Sequence, residues 1–416
     1  MIRARGALFC GLAAACLAGY VYAYASGHAG TPIRSDAFSY FVYLPAWLLH
    51  HDASLQSVAD DCCGGEFPDF TAIVRWRGTL RWVNAHPIGE AIMIAPFFVV
   101  AHALTRWTNL SPDGFSLYYQ HAGGLAGLFY VLAGLWFLDR LLRRYFSGGV
   151  VVATLCALLA GTSLYHYATF DSTWSHAFAF VLVAAFLERL DARTPGRLAD
   201  DLVIGAISGL LILVRHTHAL IPVCFLGAEM LRSRRVPLVP AIVATLVVLP
   251  QLWLYYRATN HLFISPYDSL GFTFATPHVF GVLASTKKGL FLYAPLLLAA
   301  IPGALRLPER LRHWRAPAMV LLLAETYLIA SWWDWQFGAS YGHRGFVDFY
   351  PLFAVGLAST FAWAAASTPR RVVAGALVVS FCALSIFQML QYWHGVLPMS
   401  DTTPAQYRAV FLRGWW

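Results

Sequence analysis

PIGEAIMIAPFFVVAHALT, residues Pro87–Thr105, is a nineteen-residue run whose reading sets the topology of this chain. It is long enough to cross a bilayer core of about 30 Å as a helix. It also contains Glu90, Pro96 and His102, so hydropathy alone leaves it ambiguous. Other apolar runs of crossing or near-crossing length fall at about 7–25, 117–138, 149–170, 174–190, 200–214, 217–231, 237–256, 288–305, 316–333, 346–365 and 372–391. If 87–105 does not cross, the cytoplasmic loops receive 17 of the 29 arginines and lysines, packed into short connections. If it crosses, they keep only 10. The positive-inside tendency favours the first arrangement. The run is therefore expected to lie on, or dip into, the outer leaflet.

The composition supports that frame. Charged residues make up 12% of the 416-residue chain, about half the usual share in soluble domains. Apolar residues reach 59% and mean hydropathy is +0.58, which excludes disordered, collagen-like, coiled-coil and disulfide-framework classes. The expected fold class is all-α: a polytopic transmembrane bundle of about 11 spans, covering residues 1–391, with interfacial helices in a long first outer loop, 26–116. A short outer tail, 392–416, follows. The run after Arg3 and Arg5 is read as a retained first helix rather than a cleaved signal. A net charge of +8 would suggest nucleic acid in a soluble chain. Here arginine-anchored loops account for it, and no nucleic-acid partner is expected.

This orientation puts most of the chemically capable residues on the outer side: Asp36, His86, Asp171, His176, Arg215, His216, His218, Lys287, Lys288, Asp334, His343, Arg344 and Asp348. Ionisable groups near membrane depth are costly, so a one-sided cluster marks a site. Asp36 opens an aromatic amphipathic stretch that ends at His51 and is expected to lie at the interface. It reads either as a helix N-cap or as a general base, and residue chemistry alone favours the cap. Asp171, in Asp171-Ser172-Thr173-Trp174, carries the same two readings. Asp60, Asp61, Glu66 and Asp69 flank Cys62-Cys63 in what reads as a solvated acidic loop. Adjacent cysteines seldom bridge each other. No zinc spacing, glycine-rich nucleotide loop or nucleophile elbow is present. The only two lysines, Lys287 and Lys288, stand together on the outer side against the positive-inside tendency. Trp332-Trp333-Asp334-Trp335 offers indole faces beside a carboxylate, which suits a sugar or an interfacial belt. Arg344, between His343 and Gly345, suits a phosphate.

In their order, these motifs resemble the GT-C superfamily of integral-membrane glycosyltransferases, which includes protein O-mannosyltransferases and the lipid A aminoarabinose transferase. The likeness rests on Asp36 with Tyr40, His86-Pro87, Ser175-His176, Lys288-Gly289-Leu290-Phe291, and Trp332 to Trp335 followed by Gly342-His343-Arg344. It spans roughly Asp36 to Asp348. Two features depart from the family pattern: a single acid at the first motif and one proline after His86.

The resemblance implies transfer of a sugar, with inversion, from a polyprenyl-phosphate-linked donor to a glycan, lipid or protein acceptor at the periplasmic face of a bacterial inner membrane. Asp36 and Asp171 would be catalytic, with Asp36 the base. Lys287, Lys288 and Arg344 would bind the donor phosphate. Tyr40, His86, His176, Trp333, Asp334, Trp335 and His343 would line the sugar and acceptor. Membrane lipids are the other expected partners. No cofactor is required, and a divalent cation stays open. The rival readings are a lipid-glycan transporter or flippase and an inactive lipid-glycan-binding relative.

Overall fold

The computed structural model describes residues 2–69, 71–265 and 270–415. Among these residues the chain is mostly helical. After α1 (Ile2–Ala25), the first loop holds α2 (Asp36–Phe41), α3 (Tyr43–Leu48), α4 (Gln56–Cys63) and α5 (Gly89–Thr105). It also holds an antiparallel pair, β1 (Ile73–Arg75) and β2 (Trp82–Asn84), with Val74 opposite Val83. There follow α6 (Leu117–Leu142), α7 (Gly148–Ala160), α8 (Leu164–Thr169), α9 (Ser175–Ala192), α10 (Leu198–Val214), α11 (Leu220–Ser233) and α12 (Leu238–Thr259). The last third has α13 (Val279–Ala284), α14 (Leu290–Tyr293), α15 (Ala300–Ala304), α16 (Arg315–Ser331), α17 (Tyr350–Ala365), α18 (Thr368–Trp393) and α19 (Pro404–Val410). A 3-10 turn, Arg344–Phe349, runs directly into α17.

Five helices among the described residues are long and apolar enough to cross a membrane: Ala4–Ala25, Leu117–Leu142, Leu238–Thr259, Arg344–Ala365 and Thr368–Trp393. The expectation was eleven, and the other runs are short, charged or broken. The run 149–170 bends at Gly161-Thr162-Ser163 into α7 and α8. The 13 residues of α7 rise only about 20 Å, less than a bilayer core. The run 288–305 breaks where Pro295 opens a 3-10 segment. α9 is buried at every position from Ser175 to Glu188. A helix apolar on all sides needs protein around its whole circumference, so α9 is the hub. It packs against α6, α10 and the 3-10 turn before α17. Gly127 lets α6 approach the turn before α9, since a Cβ there would fall 1.6 Å from the Ser172 carbonyl oxygen.

Two further expectations change, and the tail finds its place. The aromatic stretch from Asp36 is not one interfacial helix. Tyr40, Phe41, Val42, Tyr43, Leu44 and Ala46 are buried, because α5 covers them, with Phe41 5.6 Å from Phe98. Cys62 and Cys63 are joined as a disulfide at the end of α4, so this part of the acidic segment is an ordered helix rather than a loop. The tail from 392 is folded back. Gln391 donates to the carbonyls of Val410 and Arg413, both at 2.7 Å, and Thr286 donates to that of Thr402 at 2.8 Å.

The two ends of the bundle differ in charge. At one end Arg5 and Arg143 both hold Asp139 at 2.7 Å, and Arg140, Arg144 and Arg189 surround Glu188. This end collects the start of α1 and the ends of α6 and α9. The opposite end holds Asp36, Asp171 and Arg344.

Candidate functional site

Asp36 is the first residue of α2, and its N-cap, Ser35, makes no side-chain capping bond. The cap reading of Asp36 therefore fails. Its carboxylate accepts a hydrogen bond at 2.6 Å from Arg344 Nη1, and the two side chains are 30% and 14% exposed. Burial alone would raise the Asp36 carboxyl. The Arg344 guanidinium and the nearby His86 outweigh it and hold the group at about 2, ionised at any physiological pH. Arg344 also lies over Trp174 at 4.4 Å and Phe337 at 5.5 Å. Phe337 and Gly338 both have left-handed backbones, φ 55° and 57°, a conformation costly for a bulky residue. Gly345 makes room for the ring, since a Cβ there would meet Phe337 Cε2 at 2.7 Å.

His86 stacks on Tyr40 with ring centroids 4.2 Å apart. Burial lowers the His86 imidazole to about 4 against the pull of Asp36, so it is neutral near pH 7. Its buried Nδ1 has no hydrogen-bond partner, and neither carboxyl oxygen of the buried Glu90 has one. His176 contacts Asp348 Oδ1 through Nδ1 at 2.8 Å. His218 contacts Oδ2 through Nε2 at 3.0 Å, and Arg215 Nε stands 3.6 Å from the same oxygen.

Asp171 lies in a second knot. Arg34 Nη2 donates to its Oδ1 at 2.5 Å, and His166 Nε2 contacts its Oδ2 at 2.8 Å. Trp393 Nε1, a donor only, reaches His166 Nδ1 at 2.9 Å. His166 must therefore accept at Nδ1 and donate from Nε2 to Asp171. Burial would raise the Asp171 carboxyl, but Arg34 and His166 bring it below the usual carboxylate value. Arg34, His166 and Trp393 are absent from the sequence-derived set. They lie 137, 5 and 222 positions from Asp171, and an isolated arginine or an imidazole within an apolar run gives no local signal.

The remaining candidates spread out. The Lys288 ammonium is buried and donates to the Ser340 and Met399 carbonyls, while Lys287 points to Asp401 at the surface at 3.1 Å. The lysine pair therefore does not act as one cationic patch. Trp333 is exposed, and the Trp335 ring stacks on His278 at 5.3 Å. The Trp335 carbonyl accepts from His343 Nε2 at 3.0 Å, and Asp334 is half-buried within electrostatic reach of Arg344. Asp36, Tyr40, His86, His176 and Arg344 thus form the centre, with Asp171 and Lys288 beside it. Among the described residues no group of three or more His, Cys, Asp or Glu could hold a metal ion, so the open divalent cation finds no ligand set there. In comparison with known proteins, no family model matches the chain and no curated protein matches it in sequence.

Proposed function

We propose that the protein is an integral-membrane glycosyltransferase, similar to the GT-C enzymes. It would move a sugar from a polyprenyl-phosphate-linked donor to an acceptor hydroxyl at the periplasmic face of a bacterial inner membrane, with inversion. The observation that carries this reading is the pairing of Asp36 with Arg344 across 308 positions of sequence. It joins a proton acceptor to a phosphate-binding cation beside an aromatic wall of Tyr40, Trp174 and Phe337.

The acceptor oxygen attacks the anomeric carbon as the bond from that carbon to the phosphate oxygen breaks. Asp36 takes the hydroxyl proton. A carboxylate with a low proton affinity serves here, because the hydroxyl becomes strongly acidic only once it has bonded to the sugar. The bond electrons leave with the lipid phosphate, and Arg344 stabilises the charge that develops there. Fixed cations need no reorganisation during the step, which makes such electrostatics a large part of the rate.

The test uses purified protein in lipid nanodiscs with a panel of polyprenyl-phosphate sugars and a membrane extract as acceptor, following release of polyprenyl phosphate. Asp36→Asn should reduce release on the order of 100-fold while lipid binding persists. Release within a factor of about two of the parent would remove Asp36 as the base.

A further inference from the structure

Inversion places the acceptor oxygen and the leaving phosphate on opposite faces of the anomeric carbon. A cation locked onto the base is therefore poorly placed to receive the whole phosphate. Arg344 is held in that way by Asp36. The two lysines are engaged elsewhere, with two Lys288 donors on backbone carbonyls and Lys287 on Asp401.

Arg215 is different. It follows the last residue of α10 in an extended conformation, φ −150° and ψ 121°. Its acid, Asp348, already receives His176 and His218, and the 3.6 Å separation from Arg215 is an ion pair beyond hydrogen-bond reach. Among the described residues its guanidinium makes no hydrogen bond, although a guanidinium carries five N–H donors and this side chain is 22% exposed. The Arg215 Cζ is 5.8 Å from the centroid of Phe337, the same ring that Arg344 approaches at 5.5 Å. Both guanidiniums act electrostatically on His86 and His176, which places Arg215 at the same site as Asp36.

Building on the glycosyltransferase reading, we infer that Arg215 is the second guanidinium of the donor-phosphate site, taking the phosphate oxygens that Arg344, tied to Asp36, leaves unbound. The charges match the reaction. The donor is a phosphodiester with one negative charge, and the departing polyprenyl phosphate is a monoester that approaches two. A second cation therefore acts mainly on the charge formed as the bond breaks. Asp348 balances Arg215, and the two histidines hold Asp348 in place.

The experiment measures binding of polyprenyl monophosphate to the full-length protein in phosphatidylcholine nanodiscs, with uncharged polyprenol as the control. Arg215→Gln could lose binding only because it strands Asp348, so the deciding variant is Arg215→Gln with Asp348→Asn, which removes both charges. It should bind polyprenyl monophosphate on the order of 10-fold more weakly, with polyprenol unaffected. Asp348→Asn alone should bind the phosphate more tightly, because Arg215 is then unopposed. Parental affinity in the double variant, together with loss in Arg344→Gln, overturns the role of Arg215 and leaves the glycosyltransferase reading intact. If the parent itself does not discriminate polyprenyl phosphate from polyprenol, both fall. Equal weakening toward phosphatidylglycerol would assign Arg215 to ordinary anionic lipid and overturn the proposal.

Discussion

At one end of the bundle, Asp139 and Glu188 each sit among two or three arginines. At the other, Asp36, Asp171 and Asp348 have one arginine apiece, and the last two acids fill their remaining capacity with histidines. Atoms of the first group that lack hydrogen-bond geometry still lie in ion pairs, as Glu188 Oε2 does with Arg189 at 3.8 Å. At the second end, His86 Nδ1, His218 Nδ1 and both oxygens of Glu90 are buried with no such partner. Natural structures satisfy most buried polar atoms, so a concentration of unsatisfied ones marks a place built for something else. One end is a staple with redundant charges, and the other is a site with single ones.

That contrast is open to direct attack. The largest effect should come from Arg34→Gln, which removes the one arginine that, among the described residues, forms an ion pair with the almost fully buried Asp171. Breaking a buried pair from one side costs about 3–5 kcal/mol, and adding Asp171→Asn should restore much of the loss. Thermal unfolding of the single and double variants measures this, and a loss below about 1 kcal/mol for the single would mean that Asp171 is not singly held.

A smaller effect concerns acidity. The folded protein holds His86 at about 4 against an ordinary 6.5, so the unfolded chain takes up a proton between those values that the folded chain refuses. The stability that His86 contributes is complete above about 6.5 and is lost as the pH falls through 4. Asp36, held at about 2 against 3.8, adds a further loss only below that window. Denaturation midpoints from pH 7 to 4 should therefore fall, and His86→Gln should flatten the slope by one proton. An unchanged slope would show that His86 is freely protonated in the folded state.

The smallest change should come from the redundant end. Arg189→Gln removes the most distant of three cations from Glu188, with Arg140 at 3.1 Å and Arg144 closer still. The expected shift is about 0.5 kcal/mol or less. A loss comparable to that of Arg34→Gln would erase the distinction between the two ends.

Legibility in the sequence followed the same division. Arginine placement singled out Arg140, Arg143, Arg144 and Arg189, which the fold gathers at one end. The site was legible only where a residue was conspicuous by itself: Asp36, His86, Asp171, His176 and Arg344 stand out in apolar surroundings. Their partners did not. Nothing near Arg34 points to Asp171, and His166 hides in a run that reads as a single crossing until Gly161-Thr162-Ser163 bends it. Residue chemistry alone favoured Asp36 as a cap, since capping and ion pairing use the same short carboxylate, and only the position of Arg344 separates them. Helix lengths were the least legible, because an apolar run looks alike whether lipid or protein surrounds it.

The grip of Lys288 on Ser340 and Met399 has a consequence for biogenesis. Two loops of this end are tied to a segment made after both of them, and that tie cannot form while residue 399 is still within the ribosome. The helices can enter the bilayer one after another during synthesis, but the Asp36 end remains unfastened until translation has passed that point. A nascent chain stalled earlier would hold most of its helices in place and still lack the finished Asp36 end.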